Sequence, residues 1–225
     1  MTSPWTEARF LSRPNRFLVR VVRGRRAFSA FLPNPGRLEE LLLPRAILRV
    51  CPAPDLRRKT RYDVLAVRSG EEWVSLDTRL ANATLAAALD RKGLPEFEEF
   101  RRYRREVSAL GSRFDFLLEG ARRCWLEVKH CSLVRDGTAL FPDAPTERGV
   151  RHLEGLSQLA RQGDRAACLF LVVRSARSFA PNEATDPAFA SALRSAARDG
   201  VEVYARRGFL RGRNLLVGRA IPTEL

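Results

Sequence analysis

Between Arg165 and Arg174 the chain runs through Cys168-Leu169-Phe170-Leu171-Val172-Val173, six apolar residues with no polar interruption. A strand with one wet face alternates polar and apolar residues, so an unbroken apolar run belongs to a strand covered on both faces. Such a strand needs helices to cover it, and the flanking sequence supplies them. From Thr146 to Gln162, the residues Val150, Leu153, Leu156 and Ala160 keep helical spacing. Thr146 can cap that helix and Gly163 can end it. A second helix is read over Pro187–Asp199, closed by Gly200, and Val201–Ala205 reads as a last strand. Upstream, Tyr103–Leu110, Ser112–Leu118 and Cys124–Val134 read as three strands separated at Gly111 and at Glu119-Gly120-Ala121-Arg122. The order β-β-β-α-β-α-β predicts a mixed sheet flanked by helices, α/β (α+β) in class.

The first ~80 residues have a different texture, with short strands broken by turn signals. Phe17–Val22 turns at Arg23-Gly24-Arg25 into Ala27–Leu32, and Pro33-Asn34-Pro35-Gly36 is a dense turn cluster. Leu38–Leu43 reads as a helical turn, Ala46–Cys51 as a strand, and Tyr62–Arg68 with Trp73–Asp77 as a hairpin around Ser69-Gly70. Five or so short strands in this length suit an OB-like β-barrel, a fold that binds oligonucleotides across a strand face. Thr84–Arg91 reads as a helix stopped by Gly93 and Pro95. The boundary therefore falls between about residues 82 and 97, and is drawn to give domains 1–83 and 84–225. No internal repeat is visible.

A net charge of +14 points to an anionic partner. Arg and Lys outnumber Asp and Glu by 16 to 9 up to residue 90 and by 24 to 17 beyond it, so the excess is shared by both parts. Phosphate backbone is the commonest target of such a surface, with DNA expected first and RNA as the alternative. The four cysteines, Cys51, Cys124, Cys131 and Cys168, form no CxxC pair, which argues for buried thiols rather than zinc. The N-terminal stretch lacks a leader-like apolar segment, and no run approaches the ~18 apolar residues of a membrane span. A cytoplasmic protein with no membrane partner is expected. A Gly-rich phosphate loop, a GxSxG elbow and a Cys–His pairing are all missing, which disfavours a nucleotide-driven motor or a serine hydrolase.

The candidate chemistry lies in the middle hairpin. Asp115 sits on one strand and Glu127-Val128-Lys129 on the next. Alternation places Glu127 and Lys129 on one face, and a short turn lets Asp115 pair opposite them. Only three lysines occur, Lys59, Lys92 and Lys129, so an ammonium inside an apolar strand of an arginine-rich chain suggests that a guanidinium does not serve there. Two carboxylates can hold Mg²⁺ (or Mn²⁺), which stabilises charge developing on a phosphate and acidifies a bound water. Lys129 would neutralise the scissile phosphate or orient that water, and Glu106 on the preceding strand could complete the acidic cluster. Asp115, Glu127, Lys129 and Glu106 are thus the catalytic candidates, the three acids being the metal ligands. An exposed Glu–Lys pair is the bland alternative, worth well under ~1 kcal/mol.

For nucleic-acid binding the candidates are Asn34 and Arg37 in the turn cluster and Arg58, Lys59 and Arg61 in a basic run beside Tyr62. Arg113 lies next to the carboxylates in sequence, and Arg148, Arg151 and His152 share the start of a helix. A solvated helix face explains the last three equally well. Thr78 and Asn82 read as helix caps sooner than as contacts.

At these residues the sequence resembles the bacterial sugar fermentation stimulation protein family, SfsA. The family's landmarks recur in order as Asn34-Pro35-Gly36-Arg37, Arg58-Lys59 with Tyr62, Thr78 with Ala81-Asn82, Gly111–Leu118, Glu127–Lys129 and Phe141–Leu153. The resemblance implies an N-terminal OB-like domain and a mixed-sheet PD-(D/E)xK, restriction-endonuclease-like domain in a DNA-binding protein. It maps Asp115, Glu127 and Lys129 onto the nuclease-like motif and Glu106 onto the acid before it. The sequence departs at His130-Cys131-Ser132, where the family has Ser-Val-Thr, at Pro145 for Val and at Leu38 for Met. Two functions follow as expectations: a metal-dependent nuclease, and a non-catalytic DNA-binding regulator of sugar-metabolism genes that keeps the nuclease-like fold as a platform. Clustered acids facing a polyanion favour the first, since without a metal they would repel phosphate.

Overall fold

The structure is a computed structural model that describes residues 5–55 and 57–225; the first four residues of the segment read for a leader lie outside the described residues. The chain divides into two compact units, Met1–Leu80 with Phe209–Leu216, and Ala81–Gly208 with Val217–Leu225.

In the first unit six strands follow one another: β1 (Thr6–Asn15), β2 (Leu18–Arg23), β3 (Arg26–Phe31), β4 (Ile47–Pro52), β5 (Tyr62–Ser69) and β6 (Glu72–Ser75). They lie in the order β3-β2-β1-β4-β5-β6, and a parallel pairing of Phe31 with Asp63 joins β3 back to β5. That bridge closes β1–β5 into a five-stranded OB barrel. Alternation fills it: Val19, Val21, Ala30, Leu48, Val50 and Val64 are wholly buried. The strand β1 escapes sequence inspection because Glu7, Arg9 and Ser12 occupy its outward positions, so its apolar residues do not stand out. The segment Leu38–Leu43 makes one helical turn, in which the Leu42 N–H donates to the Leu38 carbonyl at 2.8 Å.

The helix α1 (Arg79–Asp90) begins five residues before the expected Thr84 and runs unbroken through position 83. Its start is fixed by Asp77, whose carboxylate accepts the Arg79 N–H at 3.1 Å, as a capping residue does. A 3-10 turn at Pro95–Phe97 then leads into the second sheet. That sheet holds β7 (Arg102–Ala109), β8 (Ser112–Glu119), β9 (Arg123–Cys131), β12 (Arg165–Val172), β14 (Glu202–Arg211) and β15 (Asn214–Ile221). Their order is β15-β14-β12-β9-β8-β7, with β7–β8–β9 antiparallel and β9–β12–β14 parallel, a mixed sheet. The apolar run sits on the central β12, where every residue from Ala166 to Val172 is wholly buried.

The helices α2 (Glu147–Arg161) and α3 (Pro187–Arg198) pack their apolar stripes on this sheet. Their core joins Leu153, Leu156, Phe189 and Leu193 to Phe114 and Phe170 from the strands. Thr146 caps α2 by accepting the Gly149 N–H at 3.0 Å, as read from the sequence. The strand expected over Cys124–Val134 ends at Cys131. Val134 instead opens a short hairpin, β10 (Val134–Arg135) and β11 (Thr138–Phe141), extended by β13 (Ser178–Pro181). The last strand also runs further than expected, to Arg211, and β15 follows it.

Candidate active site

The register of β8 on β9 brings the motif together. Phe116 pairs with Leu126, and just beyond that pair the Asp115 side chain reaches β9, where the Val128 N–H donates to Asp115 Oδ2 at 2.8 Å. Glu127 follows Leu126 toward the sheet centre, flanked on its other side by Cys168 of β12. Its neighbour two residues on, Lys129, lies on the same face and places Nζ 2.6 Å from Glu127 Oε1.

Two further residues complete the cluster. His152 enters from α2, is 4% exposed, and its Nδ1 contacts the same Glu127 Oε1. Arg148, one turn earlier, donates from Nε to His152 Nε2 at 3.3 Å. An Nε2 that accepts must leave the proton on Nδ1, so the network selects the tautomer that donates to Glu127. The other residue is Asn82 of α1, whose Nδ2 donates to Asp115 Oδ1 at 2.6 Å. Asn82 is thus a contact of the site carboxylate and not the helix cap read from the sequence. Its place in the fourth position of a helix that starts earlier than expected hid this role.

The two acids differ electrostatically. Burial pushes the Asp115 carboxyl up to about 6, and the nearby Glu127 charge adds to this against the pull of the Val128 N–H and Asn82. Burial would raise Glu127 as well, but His152 and Lys129 outweigh it and hold that carboxylate below its ordinary range. Glu127 Oε1 takes both cationic or donor partners, while the buried Oε2 has no hydrogen-bond partner among the described residues. An orphaned carboxylate oxygen together with a second carboxylate whose charge burial disfavours is a donor set that suits a hard cation.

Glu106 stands apart from this cluster. Its backbone turns into the left-handed region at φ 54°, and its half-exposed carboxylate pairs with Arg113 at 2.9 Å. Accordingly, no group of three or more His, Cys, Asp or Glu side chains converges as a metal cage among the described residues. Arg113, expected to meet nucleic acid, is held by that ion pair. Arg148 and Arg151 are exposed on α2, and Arg151 reaches Glu147 at 3.9 Å.

In the barrel, Asn34 is buried and serves its own turn, with Oδ1 accepting the Gly36 N–H at 2.9 Å. Arg37 is exposed. Arg58 is drawn into Asp63 at 3.0 Å and lies over the Phe31 ring at 4.9 Å, whereas Lys59 and Arg61 extend into solvent. All four cysteines are buried free thiols. No helix is long and apolar enough to cross a membrane among the described residues.

Comparison with known proteins places both units. Residues 11–76 match the model described as the SfsA N-terminal OB domain, and residues 79–211 match the sugar fermentation stimulation protein RE domain. A sugar fermentation stimulation protein homolog of Moorella thermoacetica is 51% identical over 205 residues, covering 89% of this chain and 88% of its own. A homolog from Chloroflexus aurantiacus is 46% identical over 222 residues, covering 98% and 86%. The solved structure of Pyrococcus furiosus SfsA in complex with Ca²⁺ superposes with a TM-score of 0.91 at 31% identity, covering all of this chain and 97% of that one.

Proposed function

The chain belongs to the sugar fermentation stimulation protein family, and from that premise we propose that it binds nucleic acid and hydrolyses phosphodiester bonds with a divalent cation held by Asp115 and Glu127. The observation that carries this reading is the carboxylate pair itself. Asp115 is pushed up to about 6 partly by the Glu127 charge, and Glu127 Oε2 is buried without a partner among the described residues. A cation between them would relieve both conditions. A relative of the same fold was solved with Ca²⁺, a hard cation of the class these oxygens suit.

Mg²⁺ or Mn²⁺ bound there would supply charge stabilisation at the phosphate and an acidified water. The chain's own residues do the rest. Asn82 and the Val128 N–H fix both oxygens of Asp115, and the Arg148–His152 relay fixes one oxygen of Glu127. Lys129 has one of its three donors on Glu127, which leaves the others for a phosphate oxygen or the attacking water. Exposed cations on the barrel (Arg37, Lys59, Arg61) and on α2 (Arg148, Arg151) would track the backbone, DNA being the first expectation. In this reading the barrel captures the strand, and the unit that begins at Ala81, with Asn82 in it, carries the chemistry.

A second reading, a non-catalytic DNA-binding regulator, is favoured by the lack of a three-ligand group among the described residues and by Glu127 already holding the Lys129 ammonium and a contact with His152. Cleavage of labelled single- and double-stranded DNA and RNA in Mg²⁺ or Mn²⁺ separates the two. Cutting that both Asp115→Asn and Lys129→Ala abolish, with folding intact, is expected; binding without cutting, equally tight in EDTA, would sink the nuclease.

A further inference from the structure

The barrel carries a pocket that the nuclease-like site does not use. Cross-strand pairs define which residues point inward. Phe10 faces Val21 across β1–β2, and Val21 faces Phe28 across β2–β3. Thr6 faces Val50, which faces Val64 on β5. Val21, Val50 and Val64 in these rows are wholly buried, and Phe10 is nearly so. Side chains alternate along a strand, so the last inward positions at one end of the barrel are Thr6, Arg23, Arg26, Phe28 and Tyr62. These five residues line one cavity of about 110 Å³. The barrel is therefore plugged with aliphatic side chains along its length and finishes at this end in an aromatic floor with a basic rim.

The floor is a tilted pair, with the Phe28 and Tyr62 rings 4.9 Å apart at 49°. Both rings are half-buried, so part of each remains open to the cavity. Arg23 and Arg26 pair with each other's backbone across the hairpin end and are exposed, and neither makes an ion pair or side-chain hydrogen bond among the described residues. An aromatic surface that accepts a planar ring, beside two uncommitted guanidinium groups, matches the two parts of a nucleotide.

From this arrangement we infer that the barrel end is a nucleotide-binding pocket that takes one unpaired base of a single strand against Phe28 and Tyr62, with the adjoining phosphates on Arg23 and Arg26. The inference rests on the nucleic-acid binding proposed above and adds the substrate class. A duplex keeps its bases stacked inside, so only a single-stranded region or end can enter.

The test uses the full chain in EDTA, which separates binding from any cleavage. Fluorescence anisotropy measures affinity for a labelled dT oligonucleotide of about 12 residues and for a duplex of the same length. Arg23→Ser with Arg26→Ser changes exposed side chains only, and Phe28→Leu keeps the cavity filled while removing the ring face. Each variant is expected to weaken single-strand binding by about tenfold, in keeping with the value of one stacked base, and to leave duplex binding within about twofold. The arginine pair should also lower the slope of log affinity against log salt by about 1.4, for two phosphates on a single strand. Equal losses on duplex and single strand, or no loss on either, overturn the pocket while leaving nucleic-acid binding standing. If the wild type binds neither probe, the nucleic-acid reading falls with it. Titration with free dTMP forms the last arm: saturation well below the dT oligonucleotide's own dissociation constant would assign the pocket to a free nucleotide and overturn the strand.

Discussion

At the residue scale, the Asp115 site depends on donors outside the motif. Asn82 reaches Asp115 from a helix 33 residues earlier in the chain. Because outer partners of metal-ligating groups typically tune affinity by about 10–100-fold, Asn82→Ala should weaken Mn²⁺ or Ca²⁺ binding by that order in calorimetry, with little change in the far-UV spectrum. A second polar hub, away from the site, offers a pH test. Arg165 grips Glu202 with two hydrogen bonds at 2.7 and 2.6 Å, and the Tyr204 hydroxyl adds a third at 2.6 Å. Burial alone would raise the Glu202 carboxyl, yet these donors hold it below its ordinary range, while burial first and Glu202 second push Tyr204 up to about 12. A depressed acid contributes stability above its unfolded pKa of about 4.3 and loses it as pH falls through the folded value. Glu202→Gln should therefore cost about 1–3 kcal/mol near neutrality, and the gap to wild type should close below about pH 4 in urea titrations.

At the scale of elements, α2 approaches the sheet closely because it carries glycine where it crosses Phe114. A Cβ built on Gly155 would lie 2.9 Å from the Phe114 Cζ, and that ring is wholly buried. Alanine would gain about 1 kcal/mol of helix propensity, but overpacking a closed core typically costs about 1–3 kcal/mol. Gly155→Ala should thus lower stability on balance, seen as a reduced urea midpoint at unchanged slope; a stabilised variant would mean that Phe114 has room to move. This contact also sets the site, since α2 carries His152 to Glu127. The periodicity of Val150, Leu153 and Leu156 announced the helix and Thr146 its start. The spacing could not announce where its polar edge would land, because His152 and Glu127 lie 25 residues apart and meet only after α2 docks.

For the molecule as a whole, charge is the property that most bears on partners. Part of the +14 is committed internally: Arg58 and Arg79 to Asp63, Arg165 to Glu202, and Arg206 to Glu96. The exposed remainder should give strongly salt-dependent binding. Two or more phosphate contacts predict at least a roughly tenfold loss of affinity between about 50 and 200 mM salt. If Asp115 and Glu127 hold a cation, adding Mg²⁺ at constant ionic strength should strengthen binding to an uncleaved analogue, and Asp115→Asn should remove that gain. A salt-insensitive affinity would remove the phosphate reading altogether.

Local signals determined a good deal of this protein. The apolar run on β12, the helical spacing of α2 and α3, the turn-rich first 80 residues and the alternation around Glu127 and Lys129 each follow from short-range steric and solvation rules, so they are legible residue by residue. A strand such as β1, with Glu7, Arg9 and Ser12 turned outward, is not, because only the sheet beside it tells half-buried from exposed. Tertiary structure alone decided the rest. Closure of the barrel turns on the Phe31–Asp63 bridge between strands distant in sequence. Removal of Glu106 from the acids follows from its left-handed backbone and its pairing with Arg113. The partners of Asp115 and Glu127, and the raised Asp115 carboxyl, exist only once packing has excluded water, since burial and proximity are properties of the folded chain and not of any segment of it.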